Sequence, residues 1–384
     1  MSMNIAVVCY PTYGGSGVVA TELGIEMAKK GHQVHFITYR QPVRLDMLVD
    51  NIHFHEVNVP DYPLFQYQPY ELALSSKLVS VIKKNNIQLL HVHYAIPHAY
   101  AGYMAQQMLL QEGINIPMVT TLHGTDITLV GNHPNYKSAV TFSINQSNVV
   151  TSVSESLKQD TLRLFDINEE KIKVVPNFID FSKSESTQEE CKRHMMADPD
   201  ERILTHISNF RPVKRIDDVV KVFAKVVAEI PAKLIMVGDG PLQNDARKLC
   251  KELNIEDKVI FVGNSNEIDK ILCFSDMFLL PSERESFGLA ALEAMLHGVP
   301  VISSNSGGIP EVNEQGYSGY LSNVGDIEEM AKNAISILKS DKKLLKFKQN
   351  AKIQASKFDV KNIVPQYESI YENVLTEIAN INKK

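Results

Sequence analysis

The 384-residue sequence predicts two doubly wound α/β domains in tandem, each a parallel sheet covered by helices on both faces. Three observations predict this class. Short apolar runs rich in branched residues alternate with helical patterns along the chain, as expected for strands buried between crossover helices. The series breaks off in a polar stretch, SESTQEECKRHMMADPDE, and then begins again. The length also exceeds what one compact core of ordinary size covers.

In the first series the expected strands are Ile5–Cys9, Val34–Thr38, Leu89–Val92, Met118–Leu122, Val149–Val153 and Ile172–Val175. Between the first two, Val19, Leu23 and Met27 recur every four residues, Lys29 and Lys30 fall in the last turn, and Gly31 stops the helix. The second series places strands at Ile203–Ile207, Leu234–Val237, Val259–Val262, Met277–Leu280 and Val301–Ser303. Pro241 is expected to open one helix, and Asp326 another through a capping box with Glu329. A further helix is expected over Val360–Ile381. The expected division is 1–176 and 177–361, joined near Asn177, with a terminal helix at about 362–384 packing back on the first domain.

Composition excludes several functions. Net charge is −6, with 44% hydrophobic and 22% charged residues, and no dense basic run precedes Lys383 and Lys384. Nucleic-acid and anionic-membrane binding are therefore not expected. The opening MSMNIAVVCY has no basic n-region, and no apolar run approaches the roughly 20 residues that span a bilayer. Cys9, Cys191, Cys250 and Cys273 form no CxxC pair, so reduced thiols and a cytoplasmic location are expected.

Ligands of open parallel sheets bind beyond the carboxyl ends of strands, and the unusual motifs fall there. YPTYGGSG puts Gly14, Gly15 and Gly17 before a helix whose free amides favour an anion; a plain strand–helix turn would use the same glycines. In SNFRPVKRIDD, Arg211 and Lys214 flank Pro212 at a helix entrance, a forked donor and a point charge suited to a diphosphate. Gly238 in VGDGP, and Val262 and Gly263 in FVGN, let a ring or a base edge approach backbone; ordinary turns explain them equally well. SERESFGLAALEAM sets Glu285 in a loop and Glu293 in the second turn of a helix beginning near Gly288. Carboxylates only accept hydrogen bonds, so in a dry cleft these two want the hydroxyls of sugars; isolated, they would read as solvated acids.

Taken in order, GGSG, HGTD, FRPVKR, GDGP and the E-x7-E of PSERESFGLAALEAMLHGVPVISSNSGGIPEV resemble the family 4 retaining glycosyltransferases over essentially the whole chain. The resemblance implies the GT-B fold, with two Rossmann-like domains facing each other across a cleft. It implies that Glu293 holds a ribose, that Glu285 contacts the donor sugar, and that Arg211 and Lys214 neutralise the diphosphate. Gly15, Ser16, Gly17, Gly238, Val262, Gly263, Ser286, Phe287, Gly288 and Leu289 complete the expected donor side, helped by the amides of Gly307–Ile309. It further implies a front-face substitution in which the leaving phosphate helps to deprotonate the acceptor, so no protein nucleophile is expected. No metal or other cofactor is expected, since no DxD-type pair is found.

The first domain carries nine of the twelve histidines and is expected to hold the acceptor. His123 of TTLHGTD matches the family histidine that lies against the donor sugar, and Thr121 shares its face. Asp126 is expected as a helix N-cap or a catalytic acid. His91, His93 and His98 suggest a metal, but no carboxylate or cysteine completes the set. Ser16, Tyr94, Thr121, His123, Asn177 and Arg211 are the expected acceptor contacts. YPTYGGSGVVATELG, HVHYAIPHA and TLHGTDITLVG are most like family members that join UDP-N-acetylglucosamine to L-malate, opening bacillithiol synthesis. Those two molecules are the expected substrates, with homo-oligomerisation left open. A different acceptor, a UDP-N-acetylglucosamine 2-epimerase and a non-catalytic nucleotide-binding protein are the rival readings.

Overall fold

The computed structural model describes residues 2–12, 14–184 and 193–381. Tyr13, Cys191, Lys383, Lys384 and residues 185–192 of the polar stretch between the two series lie outside these residues. The chain divides into two compact units, Met1–Asn177 with Lys361–Lys384, and Phe178–Val360.

The first unit runs β1 (Asn4–Val8), α1 (Gly15–Lys29), β2 (Gln33–Thr38), β3 (Ile52–Glu56), α2 (Tyr70–Asn85), β4 (Leu89–His93), α3 (Tyr100–Leu110), β5 (Met118–Leu122), α4 (Pro134–Gln146), β6 (Val149–Ser152), α5 (Glu155–Leu164) and β7 (Ile172–Val174). Among the described residues its sheet has the order β3-β2-β1-β4-β5-β6-β7. All the pairings are parallel. β1 pairs with both β2 and β4, so strand order reverses beside it. The central strands β4 and β5 are buried throughout, which is why leucine, valine and methionine dominate them even though β4 carries two histidines and β5 two threonines.

The second unit runs β8 (Arg202–Ile207), α6 (Ile216–Val227), β9 (Ala232–Val237), α7 (Gln243–Glu252), β10 (Val259–Gly263), α8 (Ile268–Leu272), β11 (Met277–Leu280), α9 (Leu289–Leu296), β12 (Val301–Ser304), α10 (Ile309–Val312), β13 (Gly319–Ser322), α11 (Ile327–Leu338) and α12 (Asp341–Ser356). Its sheet order is β10-β9-β8-β11-β12-β13, again parallel, with the reversal beside β8. Its main core joins Phe210, Phe223, Leu234 and Met236 to Ile337 and Phe347.

The expected strands are present, two with the expected bounds and the rest with ends shifted by at most two residues, and two edge strands were not expected. β3, IHFHE, is half exposed and carries two histidines, and β13 is four residues starting at glycine. An edge strand is buried less than a central one, so neither shows a continuous apolar run. Pro241 does not open α7; it lies in the turn before the cap residue Leu242. Asp326 caps α11 by accepting the Glu329 N–H, while its own N–H donates to the Asn323 carbonyl, so only half of the expected box forms.

The long helix α13 (Val360–Ile381) returns to the first unit from Lys361 onward. Tyr367 and Tyr371 are among the largest fully buried side chains of the chain. The Tyr371 hydroxyl lies 2.7 Å from His91 Nδ1 on β4, and Glu368 takes a 2.6 Å ion pair from Lys30. Tyr371→Phe would leave a buried imidazole nitrogen without its partner, which costs about 1–3 kcal/mol. The expected result is a lower urea midpoint with an unchanged slope.

Candidate functional site

Both reversals of strand order bring sequence-predicted residues together, because loops leaving adjacent strands in opposite directions open a crevice at the carboxyl edge. In the second unit these are the loops after β8 and β11. Arg211 leads a short 3-10 turn, Pro212–Lys214, and is exposed. Lys214 Nζ reaches Glu285 Oε2 at 2.6 Å, so the expected diphosphate cation and the expected sugar carboxylate form a half-buried ion pair. The Glu283 N–H donates to the Val213 carbonyl and fastens the two loops by backbone as well.

The loop after β12 locks Glu285 from the other side. The Gly308 N–H donates to the Glu285 carbonyl at 2.8 Å. Gly307 has φ +62, and a Cβ there would sit 2.0 Å from that same carbonyl oxygen. Only glycine fits this backbone-on-backbone contact. The contact also corrects one expectation: the Gly308 amide serves Glu285 and is not open to a ligand.

Gly288, at φ +99, begins α9, and no side chain caps the helix. Ser286 and Leu289 are half-buried beside it, and Glu293 is half-buried in the second turn. Phe287 departs from the expectation. Its side chain is 2% exposed and meets Phe358 edge-to-face inside the unit, leaving only backbone for a donor. The remaining donor candidates of this unit lie just after β9 and at the end of β10, where the Gly238 N–H donates to the Gly263 carbonyl at 2.8 Å. The register shifts between Phe261 and Gly263, making Val262 an exposed bulge residue without a ladder partner. Such a residue offers backbone groups that a base edge can pair with.

In the first unit the loops after β1 and β4 meet. A Cβ at Gly17 would sit 2.5 Å from the Tyr10 carbonyl oxygen, so the start of α1 is pressed against the preceding strand end. Gly15 is exposed there. Tyr94, in the loop after β4, has φ +86, an uncommon conformation for a residue other than glycine. Its N–H donates to the Thr121 carbonyl and its hydroxyl donates to Ser16 Oγ at 2.8 Å. Two expected acceptor contacts are thus already bonded to each other. The Tyr94 ring lies 5.1 Å from both Tyr10 and His123.

Thr121 and Asp126 correct the sequence reading. The Thr121 hydroxyl is fully buried between His91 Nε2 (2.7 Å) and Thr151 Oγ1 (2.6 Å), so it faces inward. Asp126 does not cap α4, whose cap is His133. Its buried carboxylate accepts from the N–H groups of Ala95, His123 and Gly124, tying the loops after β4 and β5 together. Burial pushes its pKa up to about 6 against those hydrogen bonds. Asn177 is buried, and its Oδ1 has no hydrogen-bond partner among the described residues.

The sequence reading weighed His91, His93 and His98 as metal ligands and missed their structural use. Among the described residues no group of His, Cys, Asp or Glu is arranged to hold a metal ion. His91 bonds Tyr371 and Thr121, His93 bonds His123 at 2.9 Å, and His98 bonds the His93 carbonyl. The alternation His-x-His on β4, with Thr-x-His after β5, was the available signal, since cross-strand neighbours on one face meet. Burial lowers the pKa of His91 and His123 to about 3 and that of His98 to about 4.

Two predictions follow from this geometry. Each of these three histidines takes a proton when unfolded but not when folded, so its stabilising contribution is complete above pH 6.5 and is lost as pH falls toward 4 or 3. Each loss amounts to about 1.4 kcal/mol per pH unit. Asp126 runs the other way, since lowering the pH from about 6 relieves its buried charge and cancels one histidine. Urea titrations should therefore show stability falling as the pH drops below 6; a flat profile would contradict neutral burial. Separately, Gly307→Ala should displace Glu285 and weaken binding of the expected nucleotide-sugar donor at least about tenfold by calorimetry, a loss of about 1.4 kcal/mol.

Comparison with known proteins gives the class of protein to which these units and edges belong: a glycosyltransferase. The family described as Glycosyltransferase Family 4 matches residues 13–183, and Glycosyl transferases group 1 matches residues 187–354. The chain belongs to the family 4 glycosyltransferases. It is 48% identical to N-acetyl-alpha-D-glucosaminyl L-malate synthase of Bacillus anthracis, over 99% of each chain. It is 25% identical to the glycosyltransferase YqgM of Bacillus subtilis, covering 88% of this chain and 94% of that one. Among solved structures, Anabaena HepE with UDP and glucose superposes with a TM-score of 0.81 at 20% identity, covering 96% and 99% of the chains. Sucrose-phosphate synthase from Thermosynechococcus elongatus gives 0.80 at 18% identity, covering 98% and 100%. The fold is GT-B. Among the described residues no helix is long and apolar enough to cross a membrane.

Proposed function

We propose that the protein transfers N-acetylglucosamine, with retention, from UDP-N-acetylglucosamine to the hydroxyl of L-malate, the opening step of bacillithiol synthesis. The observation that carries this reading is 48% identity over 99% of both chains with the malate synthase of Bacillus anthracis. Arg211, Lys214, Glu285 and Glu293 supply the donor side: forked and point cations for the diphosphate, carboxylates for sugar and ribose hydroxyls. Ser16 and Tyr94 supply the acceptor side, and His123 lies between the two sides, against the donor sugar.

The bond from sugar to phosphate breaks with positive charge developing on the sugar and negative charge on the leaving diphosphate. Lys214 is already held by Glu285 before any ligand arrives, and Arg211 leads the same turn and is exposed. Preorganised charge of this kind lowers the barrier without reorganisation at the moment of reaction. The leaving phosphate takes the proton of the malate hydroxyl on the same face, so no protein nucleophile is assigned.

UDP release from UDP-N-acetylglucosamine, measured with and without L-malate and with product mass, tests the reading. Malate-dependent release with an N-acetylglucosaminyl-malate product is expected. Release without malate would overturn the acceptor and indicate hydrolysis or epimerisation. Arg211→Ala should weaken UDP binding; a loss of malate saturation beyond that would place Arg211 on the acceptor side as well.

A further inference from the structure

His93 Nδ1 and His123 Nε2 lie 2.9 Å apart, both rings buried. A hydrogen bond between two neutral imidazoles needs one N–H and one lone pair, so the pair has two proton arrangements. The rest of the His93 environment separates them. His93 Nε2 is buried and has no hydrogen-bond partner among the described residues. If His123 donated from Nε2, His93 would have to carry its proton on that orphaned Nε2. A buried N–H without an acceptor is the rarer and more costly defect.

The neighbouring orphan does not relieve it. His98 Nδ1 donates to the His93 carbonyl, which leaves His98 Nε2 as a lone pair, and that nitrogen is buried without a partner too. Had His93 Nε2 carried a proton within reach of it, both atoms would be satisfied. His123 differs from its neighbours in being 7% exposed, with the Tyr94 ring beside it.

We infer that His93 is a positioning residue: it donates from Nδ1 to His123 Nε2 and thereby fixes His123 as the tautomer protonated on Nδ1. His123 then offers a ligand a neutral N–H donor. It has no lone pair left with which to remove a proton, so it orients an oxygen of the donor sugar and does not act as a base. This rests on the proposed contact between His123 and that sugar.

The test uses the full chain and asparagine and glutamine at one position. Asparagine places its amide nitrogen near the site of a histidine Nδ1, and glutamine near that of Nε2. In 15N-histidine NMR of the free protein, with the His123 signals assigned through His123→Gln, His123 should be protonated at Nδ1 and unprotonated at Nε2. His93→Asn should keep that pattern and turn over within about threefold of the parent, whereas His93→Gln should mix the tautomers and lower kcat/KM about tenfold. Protonation of His123 at Nε2 in the parent protein overturns the inference, as does an unchanged tautomer in His93→Gln. A tautomer change in His93→Gln with parental kcat/KM would support the positioning and remove His123 from the functional reading. Should His93→Gln not fold, the parent spectrum decides the matter.

Discussion

Each sheet reverses its strand order once, beside β1 in the first unit and beside β8 in the second, and the placement of functional groups follows from that constraint. On either side of the reversal, crossover connections leave in opposite directions, so the loops at that carboxyl edge are not filled by a helix passing between them. Ser16, in the first turn of α1, and Tyr94, in the loop after β4, flank the first reversal. Lys214 and Glu285 come from the two loops flanking the second. Residues 71 positions apart can share an ion pair because β8 and β11 are neighbours in the sheet.

The two edges are made rigid by different means. In the second unit, backbone holds backbone: Glu285 is fixed through its carbonyl by Gly308, and the segment before it is tied to Val213. Its side chain is left to engage a cation. In the first unit, desolvation does the equivalent work. His91, His93, His98 and His123 are buried and hydrogen-bonded to neighbouring groups, while Asp126 gathers three N–H groups from two loops. A dry polar network specifies one arrangement because each misdirected proton leaves a buried group unpaired.

Much of this was legible in the sequence. The central strands announced themselves as apolar runs, and the glycine and charge motifs at their ends marked both reversals. Edge strands β3 and β13 were not legible, because half-exposed segments need no apolar continuity. Side-chain direction was the other limit. Phe287 and Thr121 stand within motif positions yet turn inward, the one to Phe358 and the other to His91 and Thr151. Spacing along a strand gives the face of a residue, but not whether a distant helix covers that face. The covering element here is α13, whose tyrosines lie about 280 positions beyond the histidine they meet.

That long return gives the polypeptide an order of assembly. During synthesis the residues of β1–β7 emerge first, yet Tyr367 and Tyr371, which close the buried face over His91, are made only after the whole second unit. A nascent chain can therefore complete the Phe178–Val360 unit while the earlier one still exposes its histidine-bearing strands to water. The unit that begins the chain is the last to have all its residues made.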